Sequence, residues 1–301
     1  MKPALSTRRR WRRLPVLAVI ILSGTGYLIL PIARALSIAH PPRSAVCCVT
    51  PADFGHPYEE VAIPAEHGLK VHCWLVPSKN GAMVIVAHGF GSNRASTLEA
   101  GATLADHGFG VLWIDLLAHG ESEGELLTLD GEDVLAAVRY LQEQSPSSTS
   151  QIGVWGFSLG GLEAIQAASQ TPAIDGVVAD GPMPVVTSED MPPPEMLADA
   201  LWVPFDWVQL RALEWQGIKA HNSVHKALGD IEPRPVLLIA GMQNRGEARV
   251  LRGYAAAGDS NITLWEIPEA GHIGGWQARR DEYTEKVVAF FSWALLEYRD
   301  Q

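Results

Sequence analysis

Short apolar runs alternate with segments of helical periodicity along most of this 301-residue chain. The runs typical of buried strands are Met83–Ala87, Val111–Asp115, Ile152–Trp155, Ile174–Ala179, Val236–Ala240 and Ile262–Ile267. The helical patterns are Thr97–His107, Asp130–Gln144, Leu159–Gln170, Glu247–Ala257 and Arg279–Tyr298. Such alternation is typical of parallel β-α-β units, whose sheet is covered by helices on both faces. The sequence therefore predicts an α/β fold with a mostly parallel central sheet, preceded by an antiparallel pair at Tyr58–Pro64 and Leu69–Pro77.

A serine stands at the apex of one of the predicted strand-to-helix turns. The pentapeptide Gly156-Phe157-Ser158-Leu159-Gly160 follows an apolar strand and opens a helical stretch. Glycines flank the serine where a Cβ would clash in so tight a turn. An ordinary turn with a helix-capping serine is the alternative interpretation. The strand before the motif and the helix after it favour Ser158 as a nucleophile.

Several motifs in order resemble those of the α/β-hydrolase family. They are the serine turn, His88-Gly89-Phe90-Gly91 after the third strand, Asp115 with His119-Gly120-Glu121-Ser122 after the fourth, and Gly271-His272 after the last. The resemblance covers about Tyr58 to Leu296, most of the chain. It implies an α/β-hydrolase fold and acyl transfer by an activated serine.

The resemblance also implies a function for particular residues. In this family a late histidine is the base, here His272. The oxyanion donors are the backbone N–H of Leu159, which follows the nucleophile, and that of Phe90 in the loop after the third strand. His88 is expected to be a structural residue of that loop.

The acid of the triad has more than one candidate in the sequence. Family members usually carry an aspartate in the loop after the penultimate strand, where this chain has Asn244. Glu247 lies in the same loop, and its longer side chain could recover the reach. Asp180, after the strand that follows the serine helix, is a second candidate. A third alternative is that no acid is present.

The segment of about residues 182–235 differs in composition from its surroundings. Prolines begin it, and apolar residues then recur at steps of three and four, including Trp202, Phe205 and Trp215. In the resembled family such an insertion is a cap over the active site. We therefore expect a helical cap and a pocket that favours an apolar acyl group.

The N-terminal residues form a separate module. Residues 1–13 are a basic tail, 14–35 a mostly apolar segment, and 36–57 a linker with few periodic signals, so that the hydrolase domain spans 58–301. About twenty apolar residues suffice for a transmembrane helix, and leading positive charge keeps that end in the cytoplasm. We expect an uncleaved, single-pass signal anchor with the catalytic domain outside the cytoplasm. Cleavage near Ala35 and secretion is the alternative.

Charge and composition narrow the classes of partner and cofactor. Beyond residue 50 the chain carries 15 basic and 34 acidic residues, so we expect no nucleic-acid binding. No metal-ligand spacing and no phosphate-binding glycine loop occurs, so neither metal nor cofactor is expected. One disulfide could form among three cysteines. The oligomeric state is not indicated.

These observations together predict a serine hydrolase that cleaves carboxylic esters through an acyl-enzyme. A serine peptidase or amidase of the same fold is one alternative. A non-catalytic binding protein that kept a hydrolase fold is the other. The expected partner in each case is a small-molecule ester or acyl compound.

Overall fold

The computed structural model describes residues 13–144, 151–182, 187–191, 197–257 and 261–298. Within them the strands are β1 (Glu59–Pro64), β2 (Lys70–Val76), β3 (Ala82–Ala87), β4 (Gly110–Ile114), β5 (Gln151–Phe157), β6 (Gly176–Asp180), β7 (Val236–Gly241) and β8 (Ile262–Ile267). The α-helices are α1 (Arg13–Ala39), α2 (Leu98–Asp106), α3 (Glu132–Gln144), α4 (Leu159–Gln170), α5 (Leu197–Trp215), α6 (Val224–Ile231), α7 (Arg245–Ala257), α8 (Gly275–Ala278) and α9 (Arg280–Ser292). The chain divides into two compact units, one of residues 1–39 with 193–217, the other of residues 40–192 with 218–301.

The larger unit is built on one eight-stranded sheet of order β1-β2-β4-β3-β5-β6-β7-β8. β2 pairs antiparallel with both β1 and β4, and the pairs from β4 through β8 are parallel. Every residue of β3, β4, β6 and β7 is buried, as expected for parallel strands covered on both faces. The predicted fold class of this unit is confirmed. The carboxyl ends of β3, β5, β6, β7 and β8 meet along one edge, which is where such sheets bind ligands.

The predicted linker, residues 36–57, is divided between the two units. Its first four residues belong to α1, and the rest belongs to the larger unit. Ser44 and Arg43 hydrogen-bond to loops of that unit, which sequence periodicity cannot reveal because the partners are distant in the chain. Cys47 and Cys48 form a disulfide, while Cys73 is a buried free thiol.

Part of the predicted cap insertion belongs to the larger unit. Gln166 of α4 exchanges two hydrogen bonds with the backbone of Asn222, at 2.8 and 3.0 Å, and α6 packs on α4. Residues 183–186 and 192–196 of the insertion lie outside the described residues. The cap function stays a prediction.

The smaller unit contains the helices α1 and α5, which pack on each other. The Tyr27 ring meets the Phe205 ring edge-on with centroids 6.1 Å apart, and the Tyr27 hydroxyl donates to the Leu201 carbonyl. Residues 1–12 of the predicted basic tail lie outside the described residues. Among the described residues no helix combines the length and the apolar character needed to cross a membrane, so the predicted transmembrane helix is not supported.

Candidate active site

The Ser158 turn has the strained backbone expected of an exposed nucleophile. Ser158 has φ 53° and ψ −109° between the end of β5 and the start of α4. A Cβ on Gly156 would lie 2.0 Å from the Gly160 carbonyl oxygen, and one on Gly160 would lie 2.3 Å from the Ala87 oxygen. Both glycines are therefore required by packing, and the tight turn presents the Ser158 side chain at the carboxyl edge of the sheet.

Two loops after β7 and β8 approach each other beside the serine. A Cβ on Gly241 would lie 1.9 Å from the Gly271 carbonyl oxygen, so glycine permits this approach. The backbone N–H of Gln243 donates to the Ala270 carbonyl at 3.0 Å. The β7 loop leads into α7, whose first turn carries Glu247, and the β8 loop carries His272, which explains how residues far apart in the chain meet.

Ser158, His272 and Glu247 form one hydrogen-bonded chain. His272 Nε2 lies 2.8 Å from Ser158 Oγ, and His272 Nδ1 lies 2.5 Å from Glu247 Oε2. The side chain of Glu247 is 4% exposed and that of His272 is 44% exposed. The hydrogen bond to Glu247 raises the pKa of His272 above its ordinary value. A carboxylate on Nδ1 keeps Nε2 free to accept the serine proton, which is the arrangement of a catalytic triad.

Asn244, at the position where the family usually has aspartate, supports Glu247. Its Nδ2 donates to Glu247 Oε2 at 3.0 Å, and its Oδ1 accepts from the Glu247 backbone N–H at 3.4 Å. Glu247 lies in the first turn of α7, where the helix dipole favours a negative charge. Its second oxygen, Oε1, is buried and has no hydrogen-bond partner among the residues that the structure describes.

Asp180, the other candidate acid, has a different partner. Its Oδ2 accepts a hydrogen bond from the Tyr283 hydroxyl at 2.8 Å. Burial raises the pKa of Asp180 to about 7, with the negative charge of Glu247 acting in the same direction. The carboxylate that contacts the His272 ring is thus Glu247.

The two expected oxyanion donors both belong to segments next to Ser158. Leu159 is the first residue of α4, so its N–H has no acceptor within the helix. Phe90 lies in the loop after β3, where a Cβ on Gly89 would stand 3.3 Å from the Ser158 Cβ. The absence of a side chain at Gly89 lets this loop approach the serine closely.

His88 has the structural role expected from the sequence. It is fully buried, its Nδ1–H donates to the Gly89 carbonyl at 2.7 Å, and its Nε2 accepts from the Leu116 N–H at 3.1 Å. Burial lowers the pKa of His88 to about 3, which keeps the ring neutral. Asp115 accepts from the Arg94 and Glu121 backbone N–H groups at 2.6 and 2.9 Å, and so organises the neighbouring loop.

Two residues near the site were not singled out as functional in the sequence. Gly181 has φ 52°, and a Cβ there would lie 3.0 Å from His272 Nδ1 and 3.1 Å from Glu247 Oε1. The dipeptide Asp180-Gly181 is typical of a turn, but nothing in it indicates a contact with His272. Tyr283 comes from α9, and no local pattern links it to β6.

A cavity of about 500 Å³ opens beside Ser158 and His272. Its apolar lining is Phe90, Ala100, Phe157, Ile273 and Trp276, and its polar lining includes Ser92, Ser96, Thr97, Glu99 and Gln277. This volume suits a small organic ligand. In the described part of the chain, no group of three or more His, Cys, Asp or Glu residues is arranged to hold a metal ion.

The sheet, the serine turn and the neighbouring histidine define the class of protein, an α/β-hydrolase. Residues 78–241 match the family model described as serine aminopeptidase, S33. The match includes more than half of the chain, which therefore belongs to that family.

Solved structures with the same fold include an esterase. Esterase Pf2001 of Pyrococcus furiosus superposes with a TM-score of 0.69 at 26% identity, covering 85% of this chain and 99% of that one. The dienelactone hydrolase of Anabaena variabilis gives 0.60 at 19% identity over 80% of this chain and 99% of that one, a likeness of fold alone.

Curated relatives are more distant or cover less of the chain. The thiohydrolase aneE of Aspergillus aculeatus is 29% identical over 151 residues, 48% of each chain. An uncharacterised 31.7 kDa protein of Escherichia coli is 31% identical over 36% of this chain and 41% of its own. This chain thus spans about half or less of the length of these two relatives. The α/β-hydrolase domain-containing protein WAV2 of Arabidopsis thaliana is 22% identical over 90% of this chain and 91% of its own.

Proposed function

We propose that this hydrolase cleaves carboxylic esters through an acyl-enzyme on Ser158. The observation that carries the proposal is the hydrogen-bonded chain from Ser158 through His272 to Glu247, beside a cavity of about 500 Å³. A serine hydroxyl needs an adjacent base to become nucleophilic, and His272 Nε2 lies within hydrogen-bond distance of it. The esterase relationship at 26% identity supports the same class of substrate.

Ser158, His272 and Glu247 each have a defined role in the proposed reaction. Ser158 Oγ attacks the ester carbonyl carbon while His272 Nε2 takes its proton, and Glu247 stabilises the resulting imidazolium. The N–H groups of Leu159 and Phe90 stabilise the negative charge on the carbonyl oxygen. His272 then protonates the leaving alkoxide. Water then attacks the acyl carbonyl carbon while His272 takes its proton. The bond between this carbon and Ser158 Oγ breaks, the carboxylic acid leaves, and His272 returns the proton to Ser158.

Amide cleavage is a second candidate, because the matching family is described as serine aminopeptidase. The same groups could expel an amine after protonation by His272. The two functions are distinguished by comparing kcat/KM for aryl esters and for anilides that have the same acyl group. A ratio of kcat/KM that favours the anilide would replace the ester proposal by the peptidase one.

The test of the proposal uses the full chain and a substitution of Ser158. We expect hydrolysis of short-chain aryl esters, labelling by a fluorophosphonate probe, and loss of at least about 10⁴-fold in kcat in Ser158→Ala. Ser169→Ala is a matched control, because its hydroxyl donates to the Gln166 carbonyl at 2.7 Å near the far end of α4. Undiminished turnover in Ser158→Ala refutes the assignment, and absence of labelling in the wild type favours a binding protein.

A further inference from the structure

A short segment before the sheet, Pro42–Ala45, contacts the loop that carries Phe90. The Ser44 hydroxyl donates to the Gly91 carbonyl at 2.6 Å. The Asn93 Nδ2 donates to the carbonyls of Ser44 and Ala45 at 3.2 and 3.1 Å. A Cβ on Gly91 would lie 3.4 Å from Pro42 Cγ, so the Pro42 ring lies next to the Gly91 backbone. The residue after Phe90, Gly91, is thus hydrogen-bonded to this segment through its carbonyl.

Arg43 of the same segment holds a second loop. Its guanidinium donates to four backbone carbonyls of the 119–124 turn, those of His119, Gly120, Ser122 and Gly124, at 3.4, 3.1, 2.5 and 2.5 Å. A planar guanidinium with five N–H donors can satisfy several carbonyls of one turn at once. This contact fixes the turn relative to the Pro42–Ala45 segment.

The 119–124 turn, which Arg43 holds, packs against Phe90 through His119. The buried His119 ring meets the Phe90 ring edge-on with centroids 5.8 Å apart, and it meets the His88 ring at 5.2 Å. Ser44 therefore fixes the backbone after Phe90, and Arg43 fixes the turn whose histidine packs on the Phe90 ring.

We propose that Arg43 and Ser44 are positioning residues for the oxyanion hole, acting on the backbone N–H of Phe90. The inference rests on the proposed ester hydrolysis, because only acyl transfer needs that donor. An oxyanion donor lowers the barrier only when it is fixed before the reaction at about 2.7–3.1 Å from the developing charge.

Other bonds of the Phe90 loop do not replace this contact. The Gly160 N–H donates to the His88 carbonyl at 3.1 Å, and the Ser92 N–H donates to the Gly89 carbonyl at 3.2 Å. The first bond holds the loop at His88, before Phe90, and the second closes the turn from Gly89 to Ser92 that contains Phe90. The carbonyl of Gly91, on the other side of Phe90, is the one that Ser44 holds. Loss of the Ser44 hydroxyl should therefore loosen the peptide at Phe90 while the elbow stays in place.

The experiment compares Ser44→Ala, Ser44→Thr and Ser169→Ala in the full chain with a short-chain aryl ester. We expect kcat to fall about tenfold in Ser44→Ala with little change in KM, less than the 10²–10³-fold loss of a whole donor. Ser44→Thr keeps a hydroxyl and should recover most of the rate. Affinity for a trifluoromethyl ketone, which forms a tetrahedral oxyanion on Ser158, should fall by a similar factor.

Hydrogen–deuterium exchange tests the positioning without relying on activity. Amides of residues 90–92 should exchange faster in Ser44→Ala than in the wild type and remain unchanged in Ser169→Ala. An unchanged kcat in Ser44→Ala, or an equal loss in Ser169→Ala, overturns the inference. A wild type without esterase activity refutes the proposed function instead, and unchanged exchange at residues 90–92 would then overturn the positioning as well.

Discussion

Replacing Glu247 by glutamine removes one charge from the site and keeps the shape of the side chain. Glu247 is almost fully buried, and its Oε2 lies 2.5 Å from His272 Nδ1. Its hydrogen bond raises the pKa of His272, which means that the carboxylate stabilises the imidazolium formed when Ser158 attacks. A neutral amide loses this stabilisation, and its NH₂ group can donate to Nδ1 and select the tautomer that cannot accept the serine proton.

The size of the effect follows from that geometry. The corresponding acid-to-amide change in another serine triad costs about 10⁴ in rate. His272 is 44% exposed, so water moderates the loss of the charge here. We expect kcat for a short-chain aryl ester to fall by about 10³-fold in Glu247→Gln, equivalent to about 4 kcal/mol of transition-state stabilisation.

The assay is a pH profile of kcat/KM for the wild type and Glu247→Gln. Because the carboxylate raises the pKa of His272, the wild type becomes active only as the pH rises through that elevated value. The acid limb of Glu247→Gln should therefore lie at lower pH. Glu285→Gln, an exposed position on α9, is the control. A loss of less than about threefold in Glu247→Gln, or a larger loss in Asp180→Asn, refutes the argument.

Three further predictions concern the site's surroundings and the N-terminal segment. The fold raises the pKa of Asp180 to about 7, so ionisation of this carboxyl destabilises the folded state as the pH rises from about 4 to 7. The melting temperature of Asp180→Asn should therefore rise relative to that of the wild type between pH 5 and pH 8. A difference that stays constant over this range contradicts the prediction. Gly181→Ala should lower both stability and kcat, since the new Cβ would press on His272. Gly55 also has a positive φ but has open space around it, so Gly55→Ala should lower stability alone. Equal losses of kcat in the two variants contradict the contact argument. Export directed by residues 14–35 stays a prediction, and a C-terminal reporter that works only outside the cytoplasm should be active; activity of a cytoplasmic reporter would contradict it.

The sequence predicted the parts of the fold that are encoded locally. Apolar runs and helical periods placed the strands of the sheet, and glycines flanking Ser158 indicated the tight turn. The order of the motifs along the chain, which is that of the hydrolase family, further supports the predicted fold. These features depend on residues close in sequence, so a single chain is sufficient to recognise them.

Contacts between distant segments were beyond such patterns. The segment 36–57 has few periodic signals and is predicted to be a linker, yet its Arg43 binds four carbonyls about eighty residues away. The Tyr283 hydroxyl similarly reaches Asp180 across 103 positions. Arginine and tyrosine side chains carry no local signal of the partner they choose, because that choice depends on the assembled sheet.

Glu247 illustrates how one residue can serve both the start of a helix and the candidate active site. It lies in the first turn of α7, where the helix dipole and the Asn244 amide both favour a carboxylate. The same carboxylate accepts from His272. An aspartate at position 244 would add a second negative charge close to the first, since Asn244 Nδ2 lies 3.0 Å from Glu247 Oε2. A neutral amide at position 244 is therefore a consequence of placing the acid at 247: Asn244 donates to the oxygen that binds His272 and stabilises its charge, where an aspartate would repel it.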